Sequence, residues 1–325
     1  MRYVKPIKFK SLLLPSNVFY SPLAGCSDFP FRQMACLYPV GLMYCEMVKM
    51  DGLIRHEPNT YHLLDYRDSM RPIGAQLCGS NPKLAKPTAR IIEDLGFDVV
   101  DLNCGCPVDR VTKDGSGSGM LKNPSLIGEI LSEMVAAVKI PVTIKIRAGW
   151  DNTLLNAPEI TRIAEDAGAT AIAIHGRTRV QKYKGKANWE FVRECKQVAS
   201  TIYVIGNGDV FTAQDGLNLF EQSGCDAILA SRGTMGKPWL AEEIERLDRG
   251  QLPLDINGAK IRDHLLQHIH FIRLYKTPSK ALLDIRRIGC WFLRSVGKIK
   301  KLRQKFNACA SIDEAINVIA NHDWV

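Results

Sequence analysis

DVVDLNCGCPVDRVTKDGSGSGM, residues 98–120, decides how the rest of the chain is read. It opens on Asp98 to Leu102, a short β-branched and apolar run of the kind that forms a buried strand. Asn103, Cys104, Gly105, Cys106 and Pro107 follow, residue types suited to backbone freedom and side-chain chemistry rather than packing. Two readings are open for a thiol at such a strand end. It is a small buried group in a turn, since free cysteine packs like a small hydrophobe, or it is a reactive group presented by a loop. The ends of the other strands decide between them.

Outward from this stretch one unit recurs: a short apolar run, a polar or Gly-containing end, then helical spacing. The expected strands are Val18–Leu23, Leu42–Val48, Ile73–Leu77, Val99–Leu102, Val142–Ile146, Ala171–Ile174, Ile202–Ile205 and Ala227–Ala230. Helical spacing is clearest at Pro82–Leu95, Ser125–Val138, Pro158–Ala167, Trp189–Val198, Ala213–Gln222 and Trp239–Leu247, and weaker near Phe29–Leu37 and Tyr61–Tyr66. Eight strand–helix units in about 230 residues match the size of a (β/α)8 (TIM) barrel, whose parallel strands are covered on both faces. A doubly wound open sheet is the rival. The barrel is preferred because its C-terminal rim would gather every strand end around one mouth. Those ends are Pro22 and Ala24, Glu46, Gln76, Asn103 and Cys106, Lys145 and Arg147, His175 and Arg177, Asn207 and Asp209, then Ser231 and Arg232.

The pattern stops between Arg249 and Pro253, which divides the chain into a barrel over residues 1–250 and a second unit over 251–325. The latter reads as amphipathic helices at Ile256–Tyr275, Ser279–Val296 and Ile312–Asn321, a small all-α bundle. It holds 13 Lys and Arg against 6 Asp and Glu, a net of +7 out of +9 for the whole chain. Such asymmetry points to a polyanionic partner. Between Arg273 and Lys305, 11 basic residues stand against Asp284 alone, interleaved with Tyr275, Trp291 and Phe292. A second cluster, Arg177, Arg179, Lys182, Lys184 and Lys186, follows the sixth strand and is expected at the barrel mouth. Either run alone is an ordinary solvated face; the two together favour nucleic acid.

A chain of 325 residues with 46% hydrophobic and 24% charged residues can bury a full core without disulfides. Its ten cysteines contain no CxxC pair, so reduced thiols in the cytoplasm are expected. Leu12–Leu14 is too short for a leader core, and no later segment approaches a membrane span. No dimerisation segment is visible, and a monomer is expected.

Gly206-Asn207-Gly208-Asp209 and Ser231-Arg232-Gly233 end the last two strands, where barrels commonly bind phosphate. Glycines there admit backbone N–H groups to an anion, and Arg232 adds charge-assisted bonds. Taken singly, each is equally a tight turn needing positive φ. In Thr143-Ile144-Lys145-Ile146-Arg147 the alternation turns Lys145 inward, where an ammonium needs an anionic or electron-rich partner. His175 alone reads as a satisfied core histidine. With Gln76 and Lys145 on neighbouring rims, the three donors suit one planar ligand with carbonyls, ring nitrogens and a phosphate tail, an isoalloxazine. Metal binding is not expected: Cys104 and Cys106 lack a second close Cys or His pair, and no glutamate follows His264 to make a zinc-protease motif with His268.

Asn103-x-Gly105-Cys106-Pro107, with Gln76 in AQLCGSNP, Lys145 in TIKIRAGW, His175 in IHGRTR, GNGDV at Asn207 to Asp209, and Arg232 before Gly-Lys-Pro-Trp, resembles the bacterial tRNA-dihydrouridine synthases, nearest to the B type. The likeness runs from Ser21 to Leu293. It implies an FMN barrel with a helical RNA-binding unit, in which NADPH reduces the flavin, a hydride passes to C6 of a uridine in tRNA, and Cys106 protonates C5. An ordinary thiol is mostly protonated at neutral pH, which suits that role. By the same likeness Gln76, Lys145 and His175 contact the ring, Pro22, Leu23 and Ala24 pack beneath it, and Asn207, Gly208, Asp209, Ser231 and Arg232 hold the phosphate. Asn103, Arg177, Arg179, Lys182, Arg286 and Arg287 are the expected substrate contacts. Departures from the family pattern stand at Leu23, Ser231, Asp109-Arg110 and the spare thiol Cys104. The competing expectations are a flavin reductase of a free pyrimidine or other small molecule, and a non-catalytic RNA-binding barrel.

Overall fold

Eight parallel strands close into a ring in the computed structural model, which describes residues 2–297 and 299–324. They are β1 (Val18–Tyr20), β2 (Leu42–Tyr44), β3 (Ile73–Cys78), β4 (Val99–Cys104), β5 (Val142–Arg147), β6 (Ala171–His175), β7 (Tyr203–Asn207) and β8 (Ala227–Ala230). Each pairs in parallel with the next, and β8 returns to β1 through Ile228, Leu229 and Ala230 opposite Val18, Phe19 and Tyr20. Every barrel strand thus has two neighbours, which excludes the open sheet. Alternation sets the faces. Val142, Ile144 and Ile146 join the core beneath the helices, while Thr143, Lys145 and Arg147 take the inner face.

The strands expected over Val18–Leu23 and Leu42–Val48 are shorter. β1 stops at Tyr20 and β2 at Tyr44, and Val48–Lys49 pairs separately with Leu77 and Cys78. Ser21 and Cys45 still donate to Ala230 O and Gly74 O, and beyond them residues 22–24 and 46–47 leave the ladder, which frees Pro22, Leu23, Ala24 and Met47 to line the mouth. An N-terminal hairpin, Ile7–Phe9 against Leu12–Leu14, closes the opposite end. Phe9 and Leu14 are fully buried, and the Phe9 ring lies 5.9 Å from that of Phe19 and 5.5 Å from that of Tyr203.

After Asp248 the chain runs without helix or strand to Gly258. The bundle beyond contains helices Gly258–Tyr275, Pro278–Phe292, Lys300–Ala308 and Ile312–Ala320. Lys300–Ala308 escapes a reading by periodicity because KKLRQKFNA offers a single apolar pair, Leu302 and Phe306, both buried. The bundle is not a free appendage: Met34 and Trp239 of the barrel lie inside its apolar core. No helix among the described residues is long and apolar enough to cross a membrane.

His268, 3% exposed in this core, has its pKa lowered to about 4 by burial, with Lys276 and Arg287 adding to the effect and Asp28 opposing it. The unfolded chain therefore takes up a proton near pH 6.5 that the folded chain refuses. Stability from this group is present above pH 6.5 and lost as pH falls towards 4. Between pH 7.5 and 5, the wild type should lose about 2 kcal/mol more than His268→Gln, measured by urea titration at each pH.

Candidate active site

The C-terminal ends of the strands surround a cavity of about 370 Å³. Pro22, Leu23, Ala24, Gln76, Asn103, Cys106, Lys145, His175, Asn207, Gly208, Asp209, Ser231 and Arg232 all line it. Arg147, one of the expected strand ends, lines it too, as does Tyr183, which nothing in the sequence singles out.

Beneath the cavity lies a closed polar net, centred on Asp101, which in the sequence looks like one more position of a buried strand. Gln76 Nε2 donates to Asp101 Oδ2 at 2.7 Å, and Thr143 Oγ1 donates to Asp101 Oδ1 at 2.6 Å. Burial raises the pKa of Asp101 to about 6 against these two bonds and the attraction of Lys145. An alternating strand with Asp101 and Asn103 on one face carried the available signal.

Lys145 has its pKa lowered to about 8, first by burial and then by repulsion from Arg147; Asp101 and Cys106 act the other way. Its ammonium takes no hydrogen-bond acceptor among the described residues. His175 is 7% exposed and held well below its usual range by burial, then by Lys145, Arg147, Arg177 and Arg232, so the imidazole is neutral at pH 7. Its Nε2 faces Arg177 Nη1 at 3.3 Å, which assigns the ring proton to Nδ1, again without a described acceptor. Two donors without protein partners in one cavity are the feature that an electron-rich planar ring would satisfy, and the residues present fit a flavin.

The β7 and β8 ends bring two glycine loops together at the cavity. Gly208 adopts φ +121°, and a Cβ there would stand 3.0 Å from the His175 ring. A Cβ on Gly233 would come within 2.0 Å of the Val210 carbonyl oxygen, so only glycine lets these two loops meet. Asn207 Nδ2 donates to Leu229 O at 2.6 Å and to Ser231 Oγ at 2.9 Å. The Ser231 hydroxyl is thus used to orient Asn207. Asp209 points its carboxylate at Arg177 and Arg232, leaving backbone N–H as what it can give an anion.

Cys106 is half-buried, and its neighbours fix its backbone rather than its thiol. Its N–H donates to Asn103 Oδ1 at 2.9 Å, and its carbonyl accepts from Ser118 Oγ at 2.8 Å. Arg147 ties the loop to the β6 side, donating to Gly105 O at 2.8 Å and to Thr178 O and Lys182 O at 2.9 Å. Cys104 faces the other way, fully buried among the residues beneath the helices, and burial holds its pKa far above the thiol range. It is a packing residue.

The expected substrate contacts divide. Arg177 is corrected: it is 2% exposed, and every N–H of its guanidinium is engaged, by Asp209, His175, Lys184 O and Gly185 O. No donor is left for RNA, because the acid that neutralises it, Asp209, arrives from the next strand. Arg179 pairs with Asp109 and stacks on Trp150 at 4.5 Å. The Asp109 departure thereby gains a partner across the mouth. Lys182 is exposed. Arg286 donates to Cys309 O at 2.7 Å inside the bundle. Arg287 pairs with Asp284 at 2.7 Å and reaches towards Gly25.

The fold and its mouth define a (β/α)8-barrel enzyme. The family model described as Dihydrouridine synthase matches residues 19–323, and the chain belongs to that family. A "Probable tRNA-dihydrouridine synthase 1" of Synechocystis sp. is 34% identical over 98% of this chain and 89% of its own length. The "tRNA-dihydrouridine synthase B" proteins of Vibrio cholerae and Pseudomonas aeruginosa are 30% and 32% identical, over 97% and 92% of this chain and 98% and 90% of theirs. Among solved structures, histamine dehydrogenase from Rhizobium sp. 4-9 superposes with a TM-score of 0.57 at 14% identity, over 82% of this chain and 51% of that one. A variant of NCR from Zymomonas mobilis gives 0.53 at 16%, over 79% and 94%. At these identities the likeness is one of fold, and the chain spans about half the length of the histamine dehydrogenase.

Proposed function

We propose that this chain is a tRNA-dihydrouridine synthase that uses FMN and NADPH to saturate the C5–C6 bond of a uridine. The observation that carries the reading is the convergence of Cys106, unpartnered Lys145 and neutral His175 on one cavity with a glycine-edged anion cradle at its far wall. Bound FMN would supply the hydride equivalent. Lys145 and His175 Nδ1–H would donate to the ring, with Gln76 beside them, while Pro22, Leu23 and Ala24 pack under it. Arg232 and the N–H groups from Asn207 to Asp209, with Ser231, would take the phosphate. Cys106, on the rim, would give its proton to C5, and Asn103 holds its loop in place. A uridine must leave its stack to reach a barrel mouth, so the RNA needs holding elsewhere as well.

Residues 1–250 would carry the chemistry and 251–325 most of the RNA grip. Arg294, Lys300, Lys301 and Arg303 are exposed on the bundle and form the favoured surface, with Lys182 on the barrel side. Replacing Lys300, Lys301 and Arg303 together by Glu should weaken tRNA binding and flatten the slope of log Kd against log salt by about 1 for each phosphate no longer neutralised. On this reading the protein would work in the cytoplasm as a monomer, needing no metal and no membrane partner. The test is a position-resolved count of dihydrouridine in tRNA lacking the modification, after incubation with FMN-loaded protein and NADPH. Dihydrouridine at one defined position is expected. Its absence while the flavin still turns over with NADPH and air would move the reading to a small-molecule reductase.

A further inference from the structure

We propose that Asp101 is a positioning residue that sets the direction of a hydrogen-bond relay, Thr143–Asp101–Gln76–Asn103, whose far end fixes the backbone of Cys106. The inference rests on the proposed role of Cys106 for its meaning, but not for its geometry. Asp101 stands opposite Gln76 on β3 and opposite Thr143 on β5, so the three share the inner face at one level of the barrel. All are buried, at 3%, 1% and 1% exposure, and Asn103 one step above is at 7%.

The direction follows from valence. An ionised carboxylate only accepts hydrogen bonds. Asp101 therefore takes the Thr143 hydroxyl on Oδ1 and obliges Gln76 to turn its amino group down, at 2.7 Å. Gln76 Oε1 is then the upper atom, and Asn103 Nδ2 donates to it at 2.7 Å. Asn103 is left with its oxygen pointing into the loop, where it accepts from Gly105 N–H at 3.1 Å and Cys106 N–H at 2.9 Å. Reversing either amide would set donor against donor at one joint and acceptor against acceptor at another, among side chains at most 7% exposed. One acceptor-only group at the root thus determines which way a backbone faces two strand ends higher. The cavity needs that loop to hold one position, since the thiol it carries has no side-chain bond of its own among those described.

Hydrogen exchange of the peptide containing Gly105 and Cys106, read by mass spectrometry on the FMN-loaded protein, tests this without reference to turnover. Gln76→Glu removes the donor that Asp101 requires once the two carboxyls no longer share a proton, so exchange at these two amides, relative to wild type at each pH from about 6 to about 10, should speed about tenfold as that proton is lost. Adding D101N to Q76E reverses the first joint: the new amide donates down-chain to the new carboxylate, whose other oxygen still accepts from Asn103. Exchange should return to within about threefold of wild type. Exchange in the double variant as fast as in Q76E would show that the direction of the relay does not hold the loop, and that result overturns it. If Q76E does not fold, D101N is compared with D101N/T143V. The amide of D101N keeps the relay direction by giving its amino group to the Thr143 hydroxyl, so removing that hydroxyl should speed exchange where D101N alone does not. Equal exchange in both would also overturn the proposal. Exchange that behaves as expected in a protein making no dihydrouridine would sink the proposed function and leave the relay standing.

Discussion

Cys106→Ala is expected to lower single-turnover uridine reduction by about 10²–10⁴-fold, the usual range for a lost general acid. FMN should remain bound, and NADPH should still reduce it. The separation follows from where the residue sits. Cys106 lines the cavity on its rim, on a loop whose backbone is held by Asn103, Ser118 and, through Gly105, by Arg147. None of those bonds uses the thiol, so removing it leaves the loop in place. The check is stopped-flow absorbance for each half-reaction, with pre-reduced enzyme and tRNA in the second. An unchanged second half-reaction would take the acid role away from Cys106. Cys104, two residues earlier, serves as the contrast, since its substitution should alter stability rather than the proton step.

Arg177→Ala is expected to cost about 3 kcal/mol of stability, below the upper range for breaking a buried ion pair because Asp209 keeps 21% of its side chain exposed. Burial alone would raise the Asp209 pKa, but the Arg177 hydrogen bonds, the Ala187 N–H and the nearby Arg177 and Arg232 charges hold it below the usual carboxylate range. Without the guanidinium, that carboxylate keeps only Ala187 N–H and Arg232, and the carbonyls of Lys184 and Gly185 lose their donor. Arg177 ties the loop after β6 to the one after β7, alongside the Ala187 N–H on Asp209 and the Trp189 indole N–H on Gly208 O. A thermal scan should show a fall of about 5 °C, together with weaker FMN retention. Removing both charges with R177M/D209L should restore part of the stability and none of the flavin affinity. A variant as stable as wild type would show that the pair is not what joins the two loops.

The barrel was legible because its strands are apolar on both faces and their ends repeat one polar theme. The ends also named the mouth: Gln76, Lys145, His175 and the Gly208 loop converge as the alternation required. What stayed hidden was pairing between strands. Nothing in IHGRTR says that Arg177 meets Asp209 thirty-two residues later, so the sequence makes it a substrate contact at the mouth where the structure makes it a buried strut. Asp101 was masked by Val99, Val100 and Leu102, which make its strand look uniformly apolar. In KKLRQKFNA, charge density concealed a helix whose buried edge is two residues wide. The hairpin at Leu12–Leu14 left too little periodicity to be seen, because its purpose is served by Phe9 and Leu14 alone.

That hairpin makes the barrel a cup rather than a tube. With Phe9 and Leu14 set into its base against Phe19 and Tyr203, the far end is plugged among the described residues and the lip is the open end. Under the proposed function, a reductant and an RNA that both use a ring bound in this cavity would have to reach it through that lip, each leaving before the other arrives. Alternation in time, for such an enzyme, is built from a stopper at the far end.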